Sequence, residues 1–223
     1  MHHNPDSIHL SPDSLDNILF DLGGVLVKID FLRMAKAFEK IGLPHLDQLY
    51  SHQQQIDLFD QFDRGQISED DFRRKLLSLH GLDHISNEQF DEAWNQIIVD
   101  TPEAVLKCLD WLRQHFNLFL LSNTNSIHIR YLNSYLQQKR GVDNFEAYFS
   151  RVYYSFKMGS RKPETKIFEH VLADSKIDPH RTLFIDDTQA NVETAKQMGF
   201  QVFLMPQGKL LPDVIDCKAE MNR

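Results

Sequence analysis

Cysteine and basic charge are both scarce in this chain. The only cysteines are Cys108 and Cys217, and no CxxC spacing relates them. Cys108 falls in an amphipathic helical pattern, where a small core residue is expected rather than a nucleophile. Lys and Arg number 24 against 32 Asp and Glu, a net charge of -8. A protein that binds a polyanion needs a basic surface to neutralise phosphates, so no nucleic-acid partner is expected. No apolar run approaches the ~20 residues of a membrane span, so no membrane partner is expected either. Residues 1–15 are polar, hold two prolines and lack the apolar middle of a signal peptide, so they read as a tail. His2, His3 and His9 fall in that tail and are poor candidates for a built metal site. Together these absences describe a reduced, cytoplasmic, enzyme-like protein. With 42% hydrophobic and 25% charged residues, the 223 positions suit one globular core and a modest insertion.

What is present begins with Phe20-Asp21-Leu22-Gly23-Gly24-Val25-Leu26-Val27. The apolar run from Ile18 to Phe20 reads as a buried strand. Gly23 and Gly24 let the backbone turn sharply and approach a ligand closely. Asp21 is thereby placed at the carboxyl end of a strand, where open α/β sheets bind ligands. A carboxylate there can act as a nucleophile, as a metal ligand, or as both.

From about Phe31 to Asp100 there is almost no strand signal. Phe31, Met34, Ala35, Phe38 and Ile41 repeat at helical spacing, and Gly42-Leu43-Pro44 ends that helix. Further helices are expected over 46–62, 69–79 and 87–98. Asp60 to Asp71 partly fits an EF-hand loop, but its third and fifth positions are Phe62 and Arg64, which cannot ligate calcium. Gly65 as a helix end, with Ser68 and Asp71 opening the next helix, is the better account. After Pro102, strand and helix alternate. Strands are expected over 118–121, 152–155, 182–185 and 201–205. Helices are expected over 103–115, 127–138, 165–173 and 191–198, and 156–163 reads as a loop. The fold class is therefore α/β, a doubly wound parallel sheet with an inserted all-helical unit. Its parts are a core of residues 16–28 and 101–223 and a helical insertion of residues 29–100.

Four sites fall at strand ends and converge on one edge of such a sheet: Asp21, Ser122-Asn123, Lys162 and Asp186-Asp187. Each alone has a plain structural explanation, as a cap, a turn or a surface charge. Together, three carboxylates repel one another unless a cation joins them. Oxygen-only donors at a strand end suit Mg²⁺, which keeps waters and accepts phosphate. Lys162 supplies a charge that can hold Asp21 ionised and bind a phosphoryl oxygen. Ser122 and the N–H groups opening the next helix suit an anion.

The order and spacing of these sites resemble the haloacid dehalogenase-like (HAD) hydrolase superfamily, on its phosphatase side. The resemblance runs from Ile18 to Met205. Its four motifs match Phe20-Asp21-Leu22-Gly23-Gly24-Val25, Leu120-Leu121-Ser122-Asn123, Arg161-Lys162-Pro163-Glu164 and Phe184-Ile185-Asp186-Asp187-Thr188-Gln189-Ala190-Asn191. The stretches 121–125 and 161–172 look most like the α-D-glucose-1-phosphate phosphatase-like group and the phosphatase domain of soluble epoxide hydrolases. The resemblance implies that the insertion is the family's helical cap. It implies that Asp21 is the nucleophile, forming an aspartyl-phosphate, and also a Mg²⁺ ligand. The carbonyl of Gly23 and Asp187 are further ligands, with Asp186 acting through water. Ser122, Asn123 and Gly24 contact the phosphate, and Lys162 neutralises charge. The implied substrate is a small phosphorylated metabolite, first a sugar 1-phosphate; a monomer is expected by default, because no large exposed apolar stripe is left over.

One position departs from the pattern. Most phosphatases of the superfamily carry a second Asp two residues after the nucleophile, which protonates the leaving oxygen and then activates water; here that residue is Gly23. The glucose-1-phosphate phosphatase-like group shares the glycine, and a hemiacetal oxygen leaves more easily than an ordinary alkoxide. Two alternatives stand beside the phosphatase. One is a module that binds a phosphometabolite or a protein without turnover. The other is a 2-haloacid dehalogenase, which uses the same Asp without metal but would leave Asp186 and Asp187 uncompensated. In the insertion, Asp30, Arg33, Asp57, Asp60 and Arg64 are candidate substrate contacts, each with a capping, paired or solvated alternative. Phe59, Phe62, Phe72, Phe90 and Trp94 are expected to form the insertion's own core.

Overall fold

The computed structural model describes residue 8 and residues 10–44 and 57–215. Strand β1, Asn17–Phe20, is buried along its whole length. It pairs in parallel with β4, Asn117–Ser122, on one side and β6, Thr182–Asp186, on the other. The outer strands are β5, Arg151–Tyr154, and β7, Gln201–Leu204, giving the order β5-β4-β1-β6-β7. A central parallel strand is covered on both faces, which explains the continuous apolar run of Ile18, Leu19 and Phe20. Side chains alternate along it. Ile18 and Phe20 pack with Leu118, Leu120, Leu183 and Ile185 on one face; Leu19 packs with Phe119, Leu121 and Phe184 on the other. Helices α5 (Glu103–Leu112) and α6 (Ser126–Arg140) send Leu109 and Leu132 to the first face. Helix α7 is the single turn Ser155–Met158, within a stretch expected to be loop. Helices α8 (Thr165–Ser175) and α9 (Gln189–Gln197) send Phe168 and Ala195 to the second face. The short α10, Leu211–Val214, closes the first. The chain leaves β1 for β4 on one side and reaches β6 on the other, so the crevice at the carboxyl end of β1 is the switch point of the sheet.

The helical segment holds α1 (Phe31–Lys40), α2 (Asp57–Asp63), α3 (Glu69–Ser78) and α4 (Asn87–Trp94). The part of the second expected helix before residue 57 lies outside the described residues. Local chemistry sets the helix starts. Asp30 accepts hydrogen bonds from the Leu32 and Arg33 N–H groups, so it is a cap of α1. Ser68 caps α3, and Ser86 with Gln89 forms a capping box on α4. Gly65 ends α2 at φ +65°, and no calcium-type loop forms. The aromatics are indeed a core. Phe62 stacks on Phe72 at 4.1 Å between ring centroids, Phe59 on Trp94 at 5.8 Å, and Phe38 meets Phe90 edge-on at 5.2 Å. Two short strands were not visible in the sequence: β2, Lys28–Ile29, and β3, Ile98–Asp100, pair antiparallel where the chain enters and leaves this segment. Two- and three-residue strands carry too little periodicity to read. Cys108 is buried in α5 as expected but is not a free thiol, which differs from the reduced cysteine expected; Cys217 lies outside the described residues. Among the described residues no helix is long and apolar enough to cross a membrane.

Polar ties hold the helical segment to the sheet domain. Arg130 of α6 forms two hydrogen bonds of 2.9 Å with Glu69 of α3, and Ser126 adds a third of 2.6 Å. Arg64 pairs with Glu164, and Arg161 donates to Asp60 at 3.1 Å. The Arg130 bonds, opposed by partial burial, hold the Glu69 carboxyl down at about 2. A depressed acid stabilises the fold above its unfolded value and loses that contribution as pH falls toward the folded one. The wild type should therefore lose about 1–2 kcal/mol more than Glu69→Gln between pH 5 and pH 2, a value between a surface ion pair and a charged hydrogen bond; urea denaturation at each pH measures it. Phe72→Ala should cost about 3–5 kcal/mol in the same assay at neutral pH, as for a large core aromatic.

Candidate functional site

The carboxyl ends of β1, β4 and β6 meet at Lys162. Its Nζ lies 2.5 Å from Asp21 Oδ1 and 2.7 Å from Asp186 Oδ2, and donates to the Leu121 carbonyl at 2.8 Å. The side chain is 1% exposed, so water competes for none of these bonds. An ammonium has three protons, and all three are placed. Burial works against the Lys162 charge, but Asp186 and then Asp21 outweigh it and raise its pKa above the usual range.

Asp21 follows β1 directly, and its N–H continues the ladder to the Ile185 carbonyl at 2.8 Å. Burial pushes the Asp21 carboxyl up to about 7; Lys162 pulls it down, while Asp186 and Asp187 push it further up. Asp187 is raised to about 6, first by burial and then by Asp186. One lysine thus faces three carboxylates, and the surplus negative charge sits on Asp21 and Asp187. Gly24 has φ +74°, and a Cβ there would stand 2.1 Å from Asp187 Oδ2. The Asp187 carboxylate therefore rests against the turn that follows Asp21, and only glycine fits. Among the described residues no three His, Cys, Asp or Glu side chains surround one point. The available set is two carboxylates, Asp21 and Asp187, and the main-chain oxygen of Gly23. Mg²⁺ is commonly held by one or two carboxylates with waters and substrate phosphate, so these hard donors fit it.

Two expected contacts differ. Asn123 is expected at the phosphoryl oxygens, yet its side chain grips the Lys162 backbone from both sides, accepting from its N–H at 2.9 Å and donating to its carbonyl at 2.8 Å. Its main-chain N–H is what it can offer an anion. Asp186 is expected to reach a cation through water, yet it is fully buried. Its oxygens take Lys162, the Thr188 N–H at 2.8 Å and the Asn191 amide at 3.0 and 3.1 Å. It anchors the lysine. Ser122 is buried at the end of β4 and lines the cavity.

That cavity, about 500 Å³, opens over Asp21 and Lys162. Its lining includes Asp60, Asp63 and Arg64 of the helical segment, with His128, Arg161 and Glu164 from the sheet domain. Asp60 and Arg64 are among the expected contacts, although both are held in ion pairs. Asp30, Arg33 and Asp57 are not part of the wall. His128, Asp63, Arg161 and Glu164 were missed, although Arg161 and Glu164 flank Lys162 in the third motif. Asp63 and His128 gave no signal, because a lone acid or histidine at helical spacing is common.

Lys162→Met leaves Asp21 and Asp186 without their shared cation. The penalty comes from ionised, buried carboxylates, so it is present above the raised pKa of Asp21 and shrinks as Asp21 takes up its proton. The loss in unfolding free energy should be about 3–5 kcal/mol at pH 8.5, the scale for a broken buried pair, and clearly smaller at pH 5.5. Equal losses at both pH values would contradict the charge network.

Comparison with known proteins places the chain in a family. The sequence model of haloacid dehalogenase-like hydrolases matches residues 15–199. A D-ribitol-5-phosphate phosphatase of Bacteroides thetaiotaomicron is 32% identical over 194 residues, covering 87% of this chain and 93% of that protein. The crystal structure of a wild-type HAD family enzyme from the same organism, in complex with magnesium and inorganic phosphate, is 34% identical with a TM-score of 0.78, covering 87% of this chain and 96% of that one. A HAD-like family hydrolase from Porphyromonas gingivalis is 32% identical with a TM-score of 0.80, covering 88% and 93%. A 2-haloacid dehalogenase from Pseudomonas syringae is 19% identical with a TM-score of 0.58, covering 90% and 93%, and shares the fold alone. With a sheet whose strand ends gather Asp21, Lys162, Asp186 and Asp187, and with relatives that match over most of its length, this chain belongs to the haloacid dehalogenase-like hydrolase family.

Proposed function

We propose that the protein is a Mg²⁺-dependent phosphatase of small phosphorylated metabolites, sugar or sugar-alcohol phosphates, acting through an aspartyl-phosphate on Asp21. The observation that carries this is the Lys162 ammonium held between Asp21 and Asp186 at the base of a cavity sized for a small molecule. The named relative acts on a polyol phosphate, which widens the substrate class beyond the sugar 1-phosphates favoured by the leaving-group argument.

In the first step a carboxylate oxygen of Asp21 attacks phosphorus, and the bond from phosphorus to the ester oxygen breaks. In the second, water attacks the same phosphorus, and phosphate leaves with Asp21 restored. Lys162 faces the charge that develops on the transferring group, so the reaction rests on positioning and electrostatics. Asn123 and Asp186 act through Lys162, fixing its backbone and its ammonium. Bound Mg²⁺, with Asp21, Gly23 and Asp187 as proposed ligands, would neutralise phosphoryl oxygens. The helical segment serves as the cap that excludes water and limits substrate size.

Gly23 leaves the leaving oxygen without a neighbouring acid, so it takes its proton from water. The backbone there has no positive φ, and a Cβ would first meet Ile29 Cδ1 at 3.2 Å, the end of a flexible side chain. A side chain at this position therefore needs Ile29 to give by a few tenths of an ångström and no change of backbone conformation.

Phosphate release from a panel of sugar and polyol phosphates, with Mg²⁺ and with chelator, tests the function. Turnover should need Mg²⁺ and vanish in Asp21→Asn. Saturable binding without release would establish the binding-module alternative. Gly23→Asp should raise kcat for an alkyl phosphate by ~10²-fold, within the range of a positioned acid, and change p-nitrophenyl phosphate much less, because that leaving group needs no proton. An unchanged ratio between the two esters would show that another group already delivers the proton.

A further inference from the structure

His128 lies in the first turn of α6, a few residues after Ser122 and Asn123, and lines the same cavity as Asp21. Its ring is held by two contacts and its backbone by a third. It stacks on Trp94 at 5.0 Å with 7° between planes, its main-chain N–H donates to Asn125 Oδ1 at 3.1 Å, and Nδ1 meets Asn95 Oδ1 at 3.0 Å. A carboxamide oxygen only accepts, so Nδ1 carries the proton and Nε2 carries a lone pair. Nε2 is buried and has no hydrogen-bond partner among the described residues. Burial holds the imidazole down at about 3, so it stays neutral at working pH. A histidine kept only for packing ordinarily has its second nitrogen paired or in water. Here a fixed acceptor is left over in a residue of the cavity wall.

We propose that His128 is a substrate-binding residue, with Nε2 accepting a hydrogen bond from a hydroxyl of a polyhydroxylated phosphate ester. This rests on the phosphatase reading and names the part of the substrate that the cavity recognises. The rest of the wall has matching chemistry. Asp60, Asp63 and Glu164 are acceptors, and Arg64 and Arg161 are already bonded to Asp60 or Glu164. Such a wall receives hydroxyl donors and repels a second phosphate or a carboxylate. Trp94 and Asn95 come from the helical segment, whereas His128 belongs to α6. The orientation and tautomer of the acceptor are therefore set only when the two parts are together.

The test compares wild type, His128→Phe and His128→Gln on a pentitol 5-phosphate and on phenyl phosphate, which has no hydroxyl. Phenylalanine keeps a flat ring on Trp94 without the acceptor; glutamine carries an acceptor oxygen to about the place of Nε2. The ratio of kcat/KM between the two esters should fall about tenfold in His128→Phe, the size of one lost hydrogen bond, mainly through KM, and recover in His128→Gln. An unchanged ratio in His128→Phe overturns the proposal, and so does an equal fall in both variants. A second measurement needs no change at His128: the ¹⁵N resonance of Nε2 in the Asp21→Asn protein with Mg²⁺. It should move when the pentitol phosphate binds and not when inorganic phosphate binds. The same response to both, or none to either, overturns the proposal and leaves a buried water as the partner. If the wild type hydrolyses neither ester while the resonance still responds to the pentitol phosphate alone, the phosphatase reading fails and the assignment of His128 stands.

Discussion

The Lys162 ammonium, between Asp21 and Asp186 and beneath the Leu121 carbonyl, ties three adjacent strand ends to one point. A buried charge survives only when its protons are matched, and each neighbour here serves that match. Asn191 and the Thr188 N–H fix Asp186, and Asn123 fixes the Lys162 backbone. The hydroxyl of Ser155 donates to the Thr124 carbonyl and accepts from the Thr124 N–H, each at 3.0 Å, holding the loop that carries Asn123. Asp21 and Asp187, both raised by burial, complete the group of carboxylates at this edge. The fold thus gathers three carboxylates and one ammonium at a single edge of the sheet.

The opposite side of the cavity follows a different principle. Its charged groups are paired with one another, Arg64 with Asp60 and Glu164, and Arg161 with Asp60. The Arg64–Glu164 and Arg161–Asp60 pairs cross from the helical segment to the sheet domain, so contacts that shape the cavity also hold the two parts together. The reactive end attracts charge, and the far end offers hydrogen-bond acceptors in fixed places.

The sheet was legible because its signals are local and redundant. Ile18 to Phe20 is a continuous apolar run, and Asp21, Asn123 and Asp187 each follow a strand directly, whereas Lys162 comes after α7 and the loop beyond it. The helical segment was legible from the spacing of Phe59, Phe62, Phe72, Phe90 and Trp94, and from the caps at Ser68 and Asp30. The positions of Asp21, Lys162, Asp186 and Asp187 could be grouped because a parallel sheet sends all its carboxyl ends to one edge. How they divide the work could not be read. Nothing in the order of residues shows that Asn123 bonds to a backbone 39 residues away or that Asp186 is consumed by Lys162. The β2–β3 pair and the Trp94–His128–Asn95 contact were hidden for the same reason, since each joins segments far apart in sequence through few residues.

Gly65 ends α2 one residue after Arg64, and a Cβ there would stand 2.1 Å from the Phe156 carbonyl of the sheet domain. Backbone meets backbone at this point, with no side chain between to be trimmed or repacked. Any other residue would wedge the end of α2 away from the sheet and carry Arg64 and Asp60 with it. Diversification of this pocket, by evolution or by design, is thus channelled into side-chain exchange around that seam, and a roomier pocket must be carved from the walls rather than gained by lifting the end of α2.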